Sequence, residues 1–182
     1  MERQQGHNER SLAWFKLADL IARGEREKAL SVFRLLAHSL SDKAYVLQIE
    51  GDILWFMDSA ASIEKYKQAA FLYQKEKRWT DAIAIQEHVY TMRPDAFDPL
   101  ATLLVLYALV DWPEKFDHRF MNMMQLYKEH AIDNSQVEKA IQALGEILET
   151  QDKKPWISIW FTNVEEHLPA LVTAKWRLFF KS

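Results

Sequence analysis

The chain contains no cysteine, which excludes disulfides, thiolate metal sites and a cysteine nucleophile. Glycine and proline are scarce, at four and five residues in 182. Strand-rich folds need many turns, so this scarcity predicts long helices joined by short connections. Glycines at 6, 24, 51 and 145 alone cannot build a GxGxxG loop, a P-loop or a GxSxG turn. Long apolar runs are missing too. The longest, Ala101 to Val110, is interrupted by Thr102 and is about half the length a membrane span needs. Charge of one sign does not accumulate either: the net charge is −3, and no field draws the chain to nucleic acid or an anionic membrane. The first residues, MERQQGHNER, carry no apolar stretch, so residues 1–10 are expected to be a flexible terminus and not a secretory signal. The expected setting is the cytoplasm.

What the chain does have is apolar and aromatic content. Hydrophobic residues make up 49% and aromatic residues 13%, with seven Trp, and these need a core or a groove to occupy. Their spacing is helical. Leu12, Trp14, Phe15, Leu17, Ala18 and Ile21 form one stripe, with Ser11 as an N-cap ahead of it and Gly24 as its stop. The same reasoning predicts helices over 11–22, 25–39, 42–57, 60–77, 80–92, 96–110, 113–130 and 135–149. One or two more fall in 156–180, divided near Pro169. The stretch 96–110 is nearly all apolar and should be central. The fold class is therefore all-α, with about eight to ten helices whose short connections make neighbours antiparallel.

An internal echo organises the first part. Trp14-x-x-Leu17-Ala18 is followed by Leu47-x-x-Glu50-Gly51, Ala29-x-x-x-Phe33 by Ser62-x-x-x-Tyr66, and Leu36-Ala37 by Ala69-Ala70, each pair 33 residues apart. A fixed period of this size signals stacked supersecondary units. At these residues the chain resembles the tetratricopeptide repeat family, most closely over 11–94. The resemblance implies an αα-hairpin superhelix, here an array over 11–150 with a capping segment at 151–182. It also implies a non-catalytic module or adaptor that takes a peptide or helix of a partner protein into a concave groove lined by first helices. The matching groove positions are Phe15 and Asp19, then Gln48 and Asp52, with Ala22 and Trp55 one turn further. Asp in place of Asn, and the lack of Lys, argue against a clamp for an acidic C-terminal tail. An apolar or basic segment fits better, with Trp55 as an anchor. Two other roles fit the same family: a small chaperone for one client, and a self-assembling structural subunit.

Other constellations carry less. The six histidines are scattered and none forms HxxxH or HExxH, so no metal site is expected. Glu165-Glu166 and the pair Asp111 and Asp117 lack an acid–base setting, and no enzymatic activity or cofactor is expected. The C-terminal stretch is dense in rings: Trp156, Trp160, Trp176 and Phe179. Three readings fit it: a cap that closes the last apolar face, a dimer interface, and an interfacial membrane anchor.

Overall fold

The computed structural model describes the backbone of residues 2–150 and 155–180, and the side chains of 12–146 and 155–177. Among these residues the chain is all-helical, with ten α-helices and no strand. They are α1 (Glu2–Ala22), α2 (Arg26–Ala37), α3 (Lys43–Phe56), α4 (Ala61–Lys75), α5 (Trp79–Met92), α6 (Phe97–Leu109), α7 (Pro113–Lys128), α8 (Asn134–Thr150), α9 (Pro155–Val164) and α10 (Ala170–Phe180). A 3-10 turn, Glu165–His167, separates the last two. From α2 to α8, each helix begins and ends within two residues of its expected limits, and the last stretch divides into two helices between Val164 and Ala170. The start of α1 is corrected: helical backbone runs back to Glu2, ahead of Ser11. Glu, Arg and Gln are good helix formers and no proline interrupts them. The chain divides into two compact units, Met1–Arg78 and Trp79–Ser182, so the array expected over 11–150 falls into two parts.

Unit 1 is two helical hairpins, α1–α2 and α3–α4. One core joins the first three helices: Leu17 and Leu20 of α1, Leu30, Phe33 and Leu36 of α2, and Ile53 and Leu54 of α3. Arg26 at the head of α2 donates to the buried Ser59 hydroxyl at 2.9 Å, which links corresponding places in the two hairpins. The α3–α4 pair is held by polar contacts as well. Tyr66 donates to Asp52 at 2.8 Å, Tyr73 donates to Gln48 at 2.8 Å, and Lys65 pairs with Glu50 at 3.0 Å. Asp42 caps α3 by accepting from the Tyr45 backbone amide at 2.9 Å and pairs with Arg78 at 2.6 Å. That amide, helped by the Arg78 guanidinium, holds the Asp42 carboxyl below its usual range.

The repeat is real in burial, but its register is corrected. For second helices the period of 33 holds: Ala29, Phe33 and Leu36 are buried, and so are Ser62, Tyr66 and Ala69. First helices align one residue further on. Buried Leu17 corresponds to buried Gly51 and Leu20 to Leu54, an offset of 34. The left-handed residues that end these helices agree, Gly24 with φ 71° and Asp58 with φ 53°. The second hairpin is therefore one residue shorter between its turn and its second helix. Gly51 is the counterpart of Leu17, and Ala18 is exposed.

Unit 2 is built on α6, whose residues Leu100, Leu103, Leu104 and Leu106 are fully buried. It packs against α5, α7 and α8, and α10 in turn packs on α8. Glu87 of α5 ties three helices together. It accepts from Tyr107 of α6 and from Arg119 of α7, whose Nε lies 3.0 Å away. The Arg119 guanidinium also sits 4.5 Å from the centre of the Tyr90 ring, a cation–π contact. Burial alone would raise the Glu87 carboxyl. The hydrogen bonds from Arg119 and Tyr107 and the Arg119 charge outweigh it, so the group lies below its usual range.

Three expectations on stability follow from these contacts. A Cβ added at Gly51 would stand 2.7 Å from the Tyr66 ring, and Tyr66 is fully buried and tethered to Asp52. Gly51→Ala should cost about 1–3 kcal/mol by overpacking, only partly offset by the ~1 kcal/mol helix preference for Ala. Ser62→Ala should do the opposite. The buried Ser62 hydroxyl has no hydrogen-bond partner among the described residues, and its counterpart is Ala29, so removing it should add about 1 kcal/mol. Urea denaturation of both variants checks the two signs. For Glu87, a folded-state carboxyl below its unfolded value contributes stability above the unfolded pKa, lost as pH falls through the folded pKa. Glu87→Gln should lose about 1–2 kcal/mol near neutral pH, and the gap to wild type should narrow as pH falls below the ordinary carboxylate range. Melts across that range test it.

Candidate binding surface

Exposed apolar side chains concentrate in unit 1. Among the described residues, eleven large hydrophobic side chains are exposed, and eight of them lie between Leu12 and Phe71. The described residues of unit 2 contribute Trp112, Met121 and Ile159, although this unit carries most of the rings described in contact with one another. A patch of exposed apolar surface on a folded unit marks association with something apolar.

The groove positions expected from sequence divide into three kinds. Phe15 is 74% exposed and Trp55 46% exposed, so both present aromatic surface. Asp19 is exposed, but its carboxylate is engaged by Arg23, one turn on, with the Nε–Oδ1 distance 3.0 Å and the Nη2–Oδ2 distance 2.8 Å. Gln48 and Asp52 accept hydrogen bonds from Tyr73 and Tyr66 of α4. One oxygen of each is thus engaged within the α3–α4 hairpin. The corrected register also separates the two aspartates: Asp52 corresponds to exposed Ala18, and Asp19 corresponds to buried Ile53. They are not equivalent positions on successive first helices.

Sequence reading missed Phe56 and Phe71, at 66% and 65% exposed. Phe56 is the last residue of α3, beyond the buried stripe. Phe71 shares a shallow cleft with Leu47 and Leu72, rimmed by Glu64, Lys67 and Gln68. A signal for Phe71 exists in the second-helix period: its counterpart is His38, a polar residue at an exposed place.

The C-terminal rings sit inside unit 2. Trp160 meets Phe116 and Phe120 edge-on, with centroids 4.9 and 4.8 Å apart. Trp156 meets Phe116 at 5.4 Å, and Phe161 stacks on Trp176 at 4.8 Å. Two indole N–H groups find acceptors, Trp156 on Asp111 at 2.9 Å and Trp160 on Asp117 at 2.7 Å. This gives the two aspartates a structural use. Of the residues expected at a self-association surface, Trp176 is 0% exposed, and Trp156 and Trp160 are partly buried against α7. The Phe179 side chain lies outside the described residues. Among the described residues, no three His, Asp or Glu side chains converge as a metal site would require, and no helix is long and apolar enough to cross a membrane.

Two tryptophans should therefore respond differently to truncation. Trp176→Ala should cost about 3–5 kcal/mol, as for a buried aromatic residue. Trp55→Ala should cost less than about 1 kcal/mol. Thermal or urea melts of the pair would show whether the first is core and the second surface. The chain matches no protein-family model, no curated protein and no solved structure.

Proposed function

We propose that the chain is a non-catalytic protein–protein interaction module, with hairpins resembling tetratricopeptide repeats, that binds an apolar segment of a partner protein on unit 1. The proposed setting is the cytoplasm. The observation that carries the reading is the concentration of exposed aromatic and aliphatic side chains on α1–α4, eight against three in unit 2 among the described residues. Phe15, Trp55 and Phe56 supply large contact area at low conformational cost, as anchor residues do. The charges nearby favour an apolar segment over a strongly basic one. Asp19 is paired with Arg23 and Glu50 with Lys65, so the charge of these two carboxylates is compensated.

One second reading has an observation in its favour. The exposed residues are spread over four helices instead of gathered in one pocket, which suits a small chaperone that shields an extended apolar surface of one client. The two readings share the surface and differ in the size of what it covers.

Display selection of random peptides on the full chain tests the shared part. Selected peptides should be apolar, and Phe15→Ala or Trp55→Ala should weaken their binding at least about tenfold, as loss of an anchor does. Failure to select any peptide, or binding indifferent to both substitutions, would overturn the reading.

A further inference from the structure

The two hairpins of unit 1 show what ordinarily covers one face of a first helix. On α3, Val46 and Ile49 are partly buried against the core shared with α1 and α2, and Ile53 is 4% exposed within it. The offset of 34 places Leu12, Phe15 and Asp19 at these same positions on α1. Here the face is open: Leu12 is 64% and Phe15 74% exposed. The spacing, three then four residues, makes a single helical stripe. So α1 presents to solvent the face with which α3 stacks on its neighbour.

We infer that this open face of α1 is a docking site for an amphipathic helix of a partner protein, which packs there as one further repeat would. The inference rests on the proposed reading of unit 1 as a protein-binding surface and names the partner's form. The partner's chemistry follows from the internal interface. The side chains that cover Val46, Ile49 and Ile53 belong to an apolar cluster of Leu, Ile and Phe on helices, so the docking helix carries a stripe of the same kind. Where Ile53 is apolar, α1 has Asp19 bonded to Arg23, so that end of the partner's stripe is polar. A second copy of the chain is a poor occupant. The counterparts of the covering residues Leu17, Leu20, Phe33 and Leu36 are Gly51, Leu54, Tyr66 and Ala69, all already buried. Recognition of an amphipathic helix by i, i+3, i+7 anchors is an established mode.

The test builds the docking helix from this chain's own repeat. A second copy of residues 9–42 is fused ahead of residue 9 in the full chain. This preserves the register, since position 43 corresponds to position 9. Amide exchange in original residues 12–19 should slow at least about tenfold, and Phe15→Asp in the original helix should abolish the gain while leaving the unfused chain's melting unchanged. Unaltered exchange in the fusion would overturn the inference. So would concentration-dependent dimerisation of the unfused chain that Phe15→Asp abolishes, because a second copy would then be the occupant. A separate arm selects binders from a library of 16-residue peptides on a helical background, beside a proline-containing extended library. Helical binders lost with Phe15→Asp support the docking site. Extended binders lost with Trp55→Ala instead would remove it while keeping unit 1 as a binding surface, and an empty selection from both libraries would remove both readings.

Discussion

A helical hairpin can bury only part of its apolar surface against itself, and every remaining face needs a neighbour. That constraint organises this chain. In unit 1 it is met once, where Ile53 and Leu54 of α3 enter the core of the α1–α2 hairpin. In unit 2 it is met by α8, α9 and α10. Here α8 lies on the buried spine α6, and the tryptophans of α9 and α10 cover Phe116 and Phe120 of α7. The same demand thus has two outcomes. Unit 2 satisfies it with its own C-terminal rings, whereas unit 1 leaves Leu12 and Phe15 in solvent.

Much of this was legible because helix formation is local. Caps and turns announce themselves: Asp42 caps α3, Gly24 ends α1 in a left-handed conformation, and Pro113 opens α7. Packing partners are not local, and there the reading slipped. The period of 33 came from large and small residues in matching order. In the second hairpin, however, the large and small partners are redistributed. Gly51 replaces Leu17, and the ring of Tyr66 fills the space that the missing side chain leaves. Only burial shows that first helices follow a different offset from second helices. A single residue removed from the turn is invisible to a pattern that both helices are assumed to share.

The candidate surface was legible in part for the same reason. Phe15 and Trp55 stand out as aromatic residues at the edge of an apolar stripe, and both are exposed. The polar members of the expected groove were harder to read. Asp52 and Gln48 looked available, yet tyrosines in the second and fourth turns of α4 reach back to them. A tyrosine's hydroxyl lies far from its own backbone, so sequence spacing does not reveal which acceptor it finds. The C-terminal tryptophans gave the converse difficulty. Dense rings suggest an interface, but their N–H groups meet Asp111 and Asp117, carboxylates more than forty positions earlier in the chain.

Asp19 explains how α1 can remain open. At the corresponding place α3 has Ile53, which is buried in the core shared with α1 and α2. An isoleucine at 19 would extend the exposed Leu12–Phe15 stripe by another turn and enlarge the apolar patch that solvent must tolerate. The aspartate instead ends the stripe, and its bond to Arg23 fixes a charge pair at the helix's last turn. An exposed pair of this kind adds little stability, so its consequence is for recognition. Two apolar anchors remain for association, while a helix that is apolar along its whole length would have to strand Asp19 and Arg23 from water, at a cost that favours partners whose stripe turns polar at the same point.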